Sequence, residues 1–224
     1  MKGKKKVPAF VKRNRYFLVV IVIFLLIIAP GLFGGGGASV FFWNLFLSVG
    51  IIVSSLATYE DGGGKGSTRR VTVLVLGGMV FVINWMGQYL SDSEYSVAVI
   101  FLCNVGFLFM IILNSVRFIL KSKQVSSNTL FAAMAVYLML GLIGGFLFVI
   151  LEGLSEAPAF KGVEQLDMEN ALYLSFVTLT TLGYGDITPV SHFAKKLTIL
   201  LSVVGQFYVA VLMAVLVGKY TSGK

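Results

Sequence analysis

Residues 178–189 read TLTTLGYGDITP, a short polar stretch in a chain that is otherwise strongly apolar. The stretch contains four threonines, a tyrosine between two glycines, and an aspartate. Glycine and threonine are poor helix formers, so these residues do not predict a regular helix. The position of this stretch relative to a membrane therefore decides the fold.

The composition indicates that lipid, not water, is the solvent of this chain. Of its 224 residues, 57% are hydrophobic and 12% are charged, whereas a soluble domain carries roughly 25% charged residues. The formal net charge of +8 could suggest a nucleic-acid partner. In a membrane protein, however, a basic excess more often reports orientation, so no nucleic-acid partner is expected.

The expected fold class is an all-α integral membrane protein, because a spanning helix needs about 20 largely apolar residues. A polar connection at 61–70 and another at 121–128 separate such stretches, and the second supplies Ser and Asn suited to capping the next helix. Six stretches qualify, at roughly 16–33, 38–58, 71–90, 96–120, 129–151 and 193–217.

Charge orients these six helices. If they alternate in direction, 15 of the 18 Lys and Arg residues fall on one side and eight of the ten Asp and Glu residues fall on the other. Because basic residues concentrate on the cytoplasmic side, both termini are predicted to be cytoplasmic. The expected location is the plasma membrane.

The gap between the last two stretches contains a segment of half the spanning length. Residues 168–180 read MENALYLSFVTLT, with apolar positions at helical spacing. Asp167 is a plausible N-cap, and Glu169 suits the positive end of the helix dipole. We therefore predict a re-entrant helix that stops midway, with its partially negative end near the membrane centre, where it favours a cation.

The chain must then return to the surface through residues 181–185. Irregular backbone at this depth is tolerated only where it is buried in protein or lines a water-filled cavity. Gly183 and Gly185 accept positive φ, and a backbone of alternating handedness would let successive carbonyls point one way. Such carbonyls, with the Thr181 hydroxyl, could ligate a dehydrated cation. One chain supplies one side of a ring, so we predict a closed oligomer, most simply a tetramer.

The sequence TTLGYGD at 180–186 resembles the selectivity filter of potassium channels, which is built from four TVGYG loops. Leu182 replaces the family's valine. The resemblance continues through GQFYVAVLMAVLVG at 205–218. It implies a homotetramer of six-helix subunits in a lipid bilayer that conducts K⁺ passively. It implies no cofactor, only K⁺ as the permeating ion.

The resemblance also implies roles for individual residues. Asp186 would lie at the outer mouth, and Tyr173 is its candidate partner on the re-entrant helix. Thr180 would support the filter beside them. The residues implied to coordinate K⁺ are Thr181, Leu182, Gly183, Tyr184 and Gly185.

Gly205 matches the position of the family's inner-helix gating hinge. The sequence leaves two uses open for Gly205, bending or close helix packing. Ala210, Ala214 and Gly218 follow at four-residue spacing, so they share one helical face. We expect that face to line the inner pore.

The chain divides into three expected parts. Residues 1–15 form a basic cytoplasmic N-terminus, residues 16–123 a four-helix domain resembling a voltage sensor, and residues 124–224 the pore domain. Voltage sensors move 3–4 charges per subunit, but Arg117 is the only interior basic residue of the 96–120 stretch. Steep voltage gating is therefore not expected. Asparagines of this domain, such as Asn84 and Asn104, indicate either interhelical hydrogen bonds or a ligand pocket.

Two other classes of function compete with a conducting channel. A non-conducting regulatory or scaffold subunit could keep the same architecture while a partner conducts. An enzyme is not expected, because the sequence offers no His/Cys metal cluster, no nucleophile with a base and no paired carboxylates within the membrane. The gating stimulus and the identity of any regulatory subunit or ligand stay open.

Overall fold

The computed structural model describes residues 14–32, 49–50, 53, 65–90, 94–122 and 124–222. A two-residue strand β1 (Phe160–Lys161) pairs with β2 (Thr188–Pro189). The predicted helix at 38–58 lies almost entirely outside the described residues. The helices are α1 (Arg15–Leu32), α2 (Lys65–Leu90), α3 (Glu94–Lys121), α4 (Ser127–Gly153), α5 (Met168–Leu179) and α6 (His192–Ser222).

Two helices extend beyond their predicted ends. Residues 65–70, predicted as part of a polar loop, form the first turns of α2, and α6 continues five residues past 217 to Ser222. The apolar pattern marks only where a helix meets lipid, and Lys and Arg are good helix formers that extend it further. In the described ranges, the helices long and apolar enough to cross a membrane are Val97–Lys121, Ser127–Gly153 and His192–Thr221.

Helix α4 is the centre of the structure and packs against α1, α3, α5 and α6. Its N-terminus is closed by the predicted capping: the Thr129 N–H donates to the Ser126 hydroxyl (3.3 Å), and the Ser126 N–H donates to the Thr129 hydroxyl (3.4 Å). Phe146 and Phe148 are fully buried. Contacts with four other helices explain why α4 is apolar around most of its circumference rather than on one stripe.

Glycines of α4 allow α5 to lie directly against it. The Ser175 hydroxyl donates to the Gly141 carbonyl over 2.6 Å. A Cβ at Gly145 would lie 2.6 Å from the Leu172 Cδ2 atom, and one at Gly144 would collide with the Ser175 hydroxyl. Small residues thus let two helix backbones approach closely, as in other helix contacts within membranes.

A pair of buried amides joins α2 to α3. The side chains of Asn84 and Asn104 each donate to the other's oxygen, over 3.2 and 3.1 Å. Each amide also donates to the carbonyl four residues earlier in its own helix, that of Val80 or Ile100. Of the two interpretations that the sequence leaves open for these two asparagines, the structure confirms the interhelical hydrogen bonds.

Lys219, near the end of α6, binds the C-terminal end of α3. Its ammonium group donates to the carbonyls of Leu120 (2.9 Å), Ser122 (2.6 Å) and Ile119. The last carbonyls of a helix have no partner within the helix, and a cation there also complements the helix dipole. One side chain therefore ties together two segments that are about 100 residues apart.

Replacing Lys219 with methionine should loosen this connection. The three carbonyls would lose their charged donor, and we expect the free energy of unfolding to fall by about 1–3 kcal/mol, since water replaces part of the bonding at a helix end. Hydrogen–deuterium exchange should rise at residues 118–126 and 216–222. Lys195→Met, an exposed position at the other end of α6, is the control. Unchanged exchange in Lys219→Met would contradict the capping role.

Candidate functional site

Helix α5 has the predicted half-length and the predicted N-terminus. The Asp167 carboxylate accepts a hydrogen bond from the Asn170 N–H (2.8 Å), and Glu169 lies in the first turn. The helix ends at Leu179, and Thr180 is its C-cap, with its hydroxyl donating to the Phe176 carbonyl (2.7 Å). The partially negative end of α5 therefore opens directly into residues 181–185.

The backbone of residues 181–185 alternates in handedness. The φ angle is +61° at Thr181, +58° at Gly183 and +80° at Gly185. The glycines adopt such angles at little cost. Thr181 is a β-branched residue, for which positive φ is a strained conformation that surrounding contacts must hold. The sequence predicts positive φ at the two glycines, and the structure adds Thr181.

Hydrogen bonds to the end of α5 fix how the peptide groups of this segment are turned. The Leu182 and Gly183 N–H groups both donate to the Val177 carbonyl, over 2.9 and 3.3 Å. In a trans peptide the N–H of one residue points opposite to the carbonyl of the residue before it. The carbonyls of Thr181 and Leu182 are therefore turned away from α5, on the same side of the segment.

Tyr173 and Asp186 form the contact predicted for them. The Tyr173 hydroxyl donates to the Asp186 carboxylate over 2.6 Å, and its ring stacks on that of Tyr184 with centroids 6.5 Å apart. The hydrogen bond lowers the pKa of Asp186 below its ordinary value and raises the pKa of Tyr173 to about 12. The backbone carbonyl of Asp186 lies against Gly162, where a Cβ would collide with it.

The pKa shifts give this contact a defined pH range. A lowered aspartate pKa means that the contact is lost only as pH falls below 3.8, and a raised tyrosine pKa means that it is lost only as pH rises towards about 12. In Tyr173→Phe the pKa of Asp186 should return towards its ordinary value. The pH at which acid has lowered the thermal midpoint halfway should then be higher than in the wild type. Tyr220→Phe should leave this pH unchanged. Identical acid midpoints would contradict the pairing.

Gly205 packs against the end of α5. A Cβ at this position would lie 2.5 Å from the Leu179 carbonyl oxygen and 2.8 Å from the Leu179 Cδ1 atom. The Tyr137 hydroxyl donates to the same carbonyl over 3.2 Å. Of the two uses that the sequence leaves open for Gly205, this geometry favours close packing. Ala210 and Ala214 are exposed on the single chain.

Sequence reasoning missed the side chains of α4 and α6 that lie near the start of the 181–185 segment. The Tyr208 hydroxyl donates to the Ala133 carbonyl (2.7 Å), and its ring stacks on Tyr137. The Gln206 Nε2 atom lies 3.5 Å from the Thr181 hydroxyl oxygen. An amide in the middle of a long apolar helix was the available signal, because polar groups at that depth need a partner.

The donor set at this site consists of backbone carbonyls and hydroxyls. Among the residues that the structure describes, no group of three or more His, Cys, Asp or Glu side chains could hold a metal ion. Neutral oxygens in a segment without a regular helix suit a monovalent cation that has lost its water, as in filters built from backbone carbonyls.

Known proteins match the C-terminal half of the chain. Residues 127–222 match a family model described as an ion channel. The probable potassium channel protein 2 of Methanocaldococcus jannaschii is 37% identical over 62 residues, which cover 28% of this chain and 18% of that protein. The human potassium voltage-gated channel subfamily A member 7 is 30% identical over 106 residues, which cover 45% of this chain and 23% of that protein.

The aligned parts are short relative to these relatives, since they span less than a quarter of either protein. The matched family region nevertheless contains α4, α5, the 181–185 segment and α6. The apolar helices and this region indicate a membrane protein. Through its residues 127–222, this chain matches an ion channel family model and is similar to potassium channels.

Proposed function

We propose that four copies of this chain form a passive, K⁺-selective channel across a lipid bilayer. Four copies of the 181–185 segment would surround the axis, and K⁺ would be the permeating ion without any other cofactor. The proposed ligands are the backbone oxygens of the segment and the Thr181 hydroxyl. The residues proposed to coordinate K⁺ are Thr181, Leu182, Gly183, Tyr184 and Gly185.

The observation that carries this proposal is the alternating backbone of the segment. Positive φ at Thr181, Gly183 and Gly185 and the hydrogen bonds to Val177 turn successive carbonyls away from α5. Rows of carbonyl oxygens can replace the hydration shell of K⁺. The negative end of α5, just before the segment, adds favourable electrostatics for a cation.

The exposed face of α6 supports assembly into a tetramer. In the single chain, Phe193 is 73% exposed and Phe207 is 67% exposed, although both are large apolar side chains of a helix long enough to cross a membrane. Neighbouring subunits would cover this helix in a closed ring, whereas lipid would cover the outer helices. Within that ring, Gly205 would lie just below the filter, and Ala210 and Ala214 would line the inner pore.

The structure also supports the proposed orientation. Lys219 joins the C-terminal ends of α6 and α3, and the Arg15 guanidinium at the start of α1 lies 4.7 Å from the centre of the Phe118 ring. Basic residues of α1 and α6 therefore meet at the C-terminal end of α3. The positive-inside rule makes this end cytoplasmic, and we propose the plasma membrane as the location.

We propose residues 1–15 as a cytoplasmic N-terminus, residues 16–123 as a sensor-like domain without sensor charges, and residues 124–224 as the pore domain. The basic residues of α3 are Arg117 and Lys121, both near its end. With little of the membrane field left to cross, they cannot supply the 3–4 charges per subunit that a sensor moves. The open probability should therefore depend only weakly on voltage.

Recording from purified protein in planar bilayers tests this function. With K⁺ on one side and Na⁺ on the other, the reversal potential should lie near the K⁺ equilibrium value. A reversal potential near zero would reject K⁺ selectivity, and a voltage dependence equivalent to about 12 moved charges would reject the account of the sensor-like domain. Tetramers that assemble but carry no current would instead favour the non-conducting subunit.

A further inference from the structure

Gln206 lies where α6 meets the start of the 181–185 segment, which is proposed as the filter. Gly205, with no side chain, lets the α6 backbone approach the Leu179 carbonyl, where even a Cβ would come within 2.5 Å. The next residue along α6 is therefore brought beside the first residues after α5. The Gln206 Nε2 atom lies 3.5 Å from the Thr181 hydroxyl oxygen, at the outer limit of hydrogen-bond length.

Polar side chains are rare in the part of α6 that contains Gln206. Between residues 203 and 218 of α6, only Gln206 and Tyr208 carry polar side chains. Tyr208 donates to the Ala133 carbonyl, and Gln206 donates to Thr181. An amide at membrane depth is unfavourable without a partner, so the contact with Thr181 gives Gln206 a reason to be there.

The Thr181 hydroxyl has a limited number of bonding positions. It donates its hydrogen to the Thr180 carbonyl over 2.6 Å, and its oxygen keeps two lone pairs. An N–H from Gln206 occupies one of them, which leaves the other for a cation. Thr181 also holds a strained positive φ of +61°, which surrounding contacts must maintain, and the contact from Gln206 is one of them.

We propose that Gln206 is a positioning residue for the innermost cation site, acting through the Thr181 hydroxyl. This inference rests on the proposed function, since it assigns the Thr181 hydroxyl as a ligand of the permeating ion. Gln206 sets the direction of the remaining lone pair and so tunes the affinity of the first site that an ion from the cytoplasmic side would meet.

Block by Ba²⁺, added from the cytoplasmic side of single channels in bilayers, measures this affinity. Ba²⁺ is close to K⁺ in size and carries twice the charge, so oxygen ligands that fit K⁺ hold it longer. In Gln206→Met, which keeps the length of the side chain but not its donor, the apparent Ba²⁺ affinity should fall by about fivefold or more, the effect of losing one neutral hydrogen bond. Ser202→Ala removes a hydroxyl one turn away on α6 and should leave the affinity unchanged.

Two further variants separate the hydrogen bond from simple polarity of the cavity. Gln206→Asn keeps the amide but is shorter by one methylene, so it should not reach Thr181 and should behave like Gln206→Met. In a Thr181→Val background, which lacks the hydroxyl, Gln206→Met should cause no further loss. Wild-type affinity in Gln206→Asn, or an equal added loss in the Thr181→Val background, would overturn the inference.

The wild-type recordings keep this test apart from the test of function. Without selective K⁺ current in the wild type, the proposed function fails. With selective current and unchanged Ba²⁺ block in Gln206→Met, only the role of Gln206 fails. If Gln206→Met does not assemble, the Gln206→Asn variant decides the question, because it retains an amide in the same helix.

Discussion

Replacing Gly183 with alanine should abolish selective K⁺ flux while leaving the fold intact. Gly183 has a φ of +58°, and an L-residue in that region is disfavoured by about 1–2 kcal/mol per chain. Relaxation to negative φ would rotate the neighbouring peptide groups and turn their carbonyls away from the ion. The reversal potential under K⁺ and Na⁺ should then move away from the K⁺ value, or the current should disappear.

Gly106→Ala is the matched control for this substitution. In the described part of the chain, no atom lies within 4 Å of a Cβ built at Gly183 or at Gly106, so neither substitution causes a collision. The two positions differ in backbone, because Gly106 is inside α3 without positive φ. Alanine at 106 should leave the current unchanged. Wild-type selectivity in Gly183→Ala would reject the assignment of this segment as the filter.

Gly205→Ala should alter ion selectivity as well as gating. The new Cβ would meet a backbone atom, the Leu179 carbonyl oxygen, which cannot turn aside as a side chain can. Overpacking of this kind destabilises by about 1–3 kcal/mol, and the helix propensity of alanine offsets about 1 kcal/mol of it. Because Leu179 is the last residue of α5, the displacement reaches Thr180 and Thr181 directly.

A free hinge predicts a different result for the same variant. Bending alone would shift the balance of open and closed channels and leave the reversal potential at the K⁺ value. Gly218→Ala is the control, since it lies in the same helix and its Cβ would have no described atom within 4 Å. A lower thermal midpoint and a shifted reversal potential in Gly205→Ala, but not in Gly218→Ala, would support close packing. Altered gating with unchanged selectivity would support the hinge.

Local patterns in the sequence were sufficient for the main helices and for part of the site. The half-length of α5 and its Asp167 cap follow from residues within one or two turns of each other. Positive φ at Gly183 and Gly185 follows from the absence of a Cβ. The contact between Tyr173 and Asp186 joins residues only 13 apart, but it is the resemblance to potassium channels that predicts it and not a local pattern.

Tertiary structure decided what depends on how distant helices approach each other. The sequence alone determined that Gly205 lies in the middle of an apolar helix, but only its contact with Leu179 distinguishes packing from bending. Gln206 reaches Thr181 across 25 residues, and Lys219 reaches the end of α3 across about 100. Such contacts depend on the packing of α6 on α5 and on the ends of α3 and α6 lying together. The periodicity of one helix does not predict where a neighbouring helix will lie.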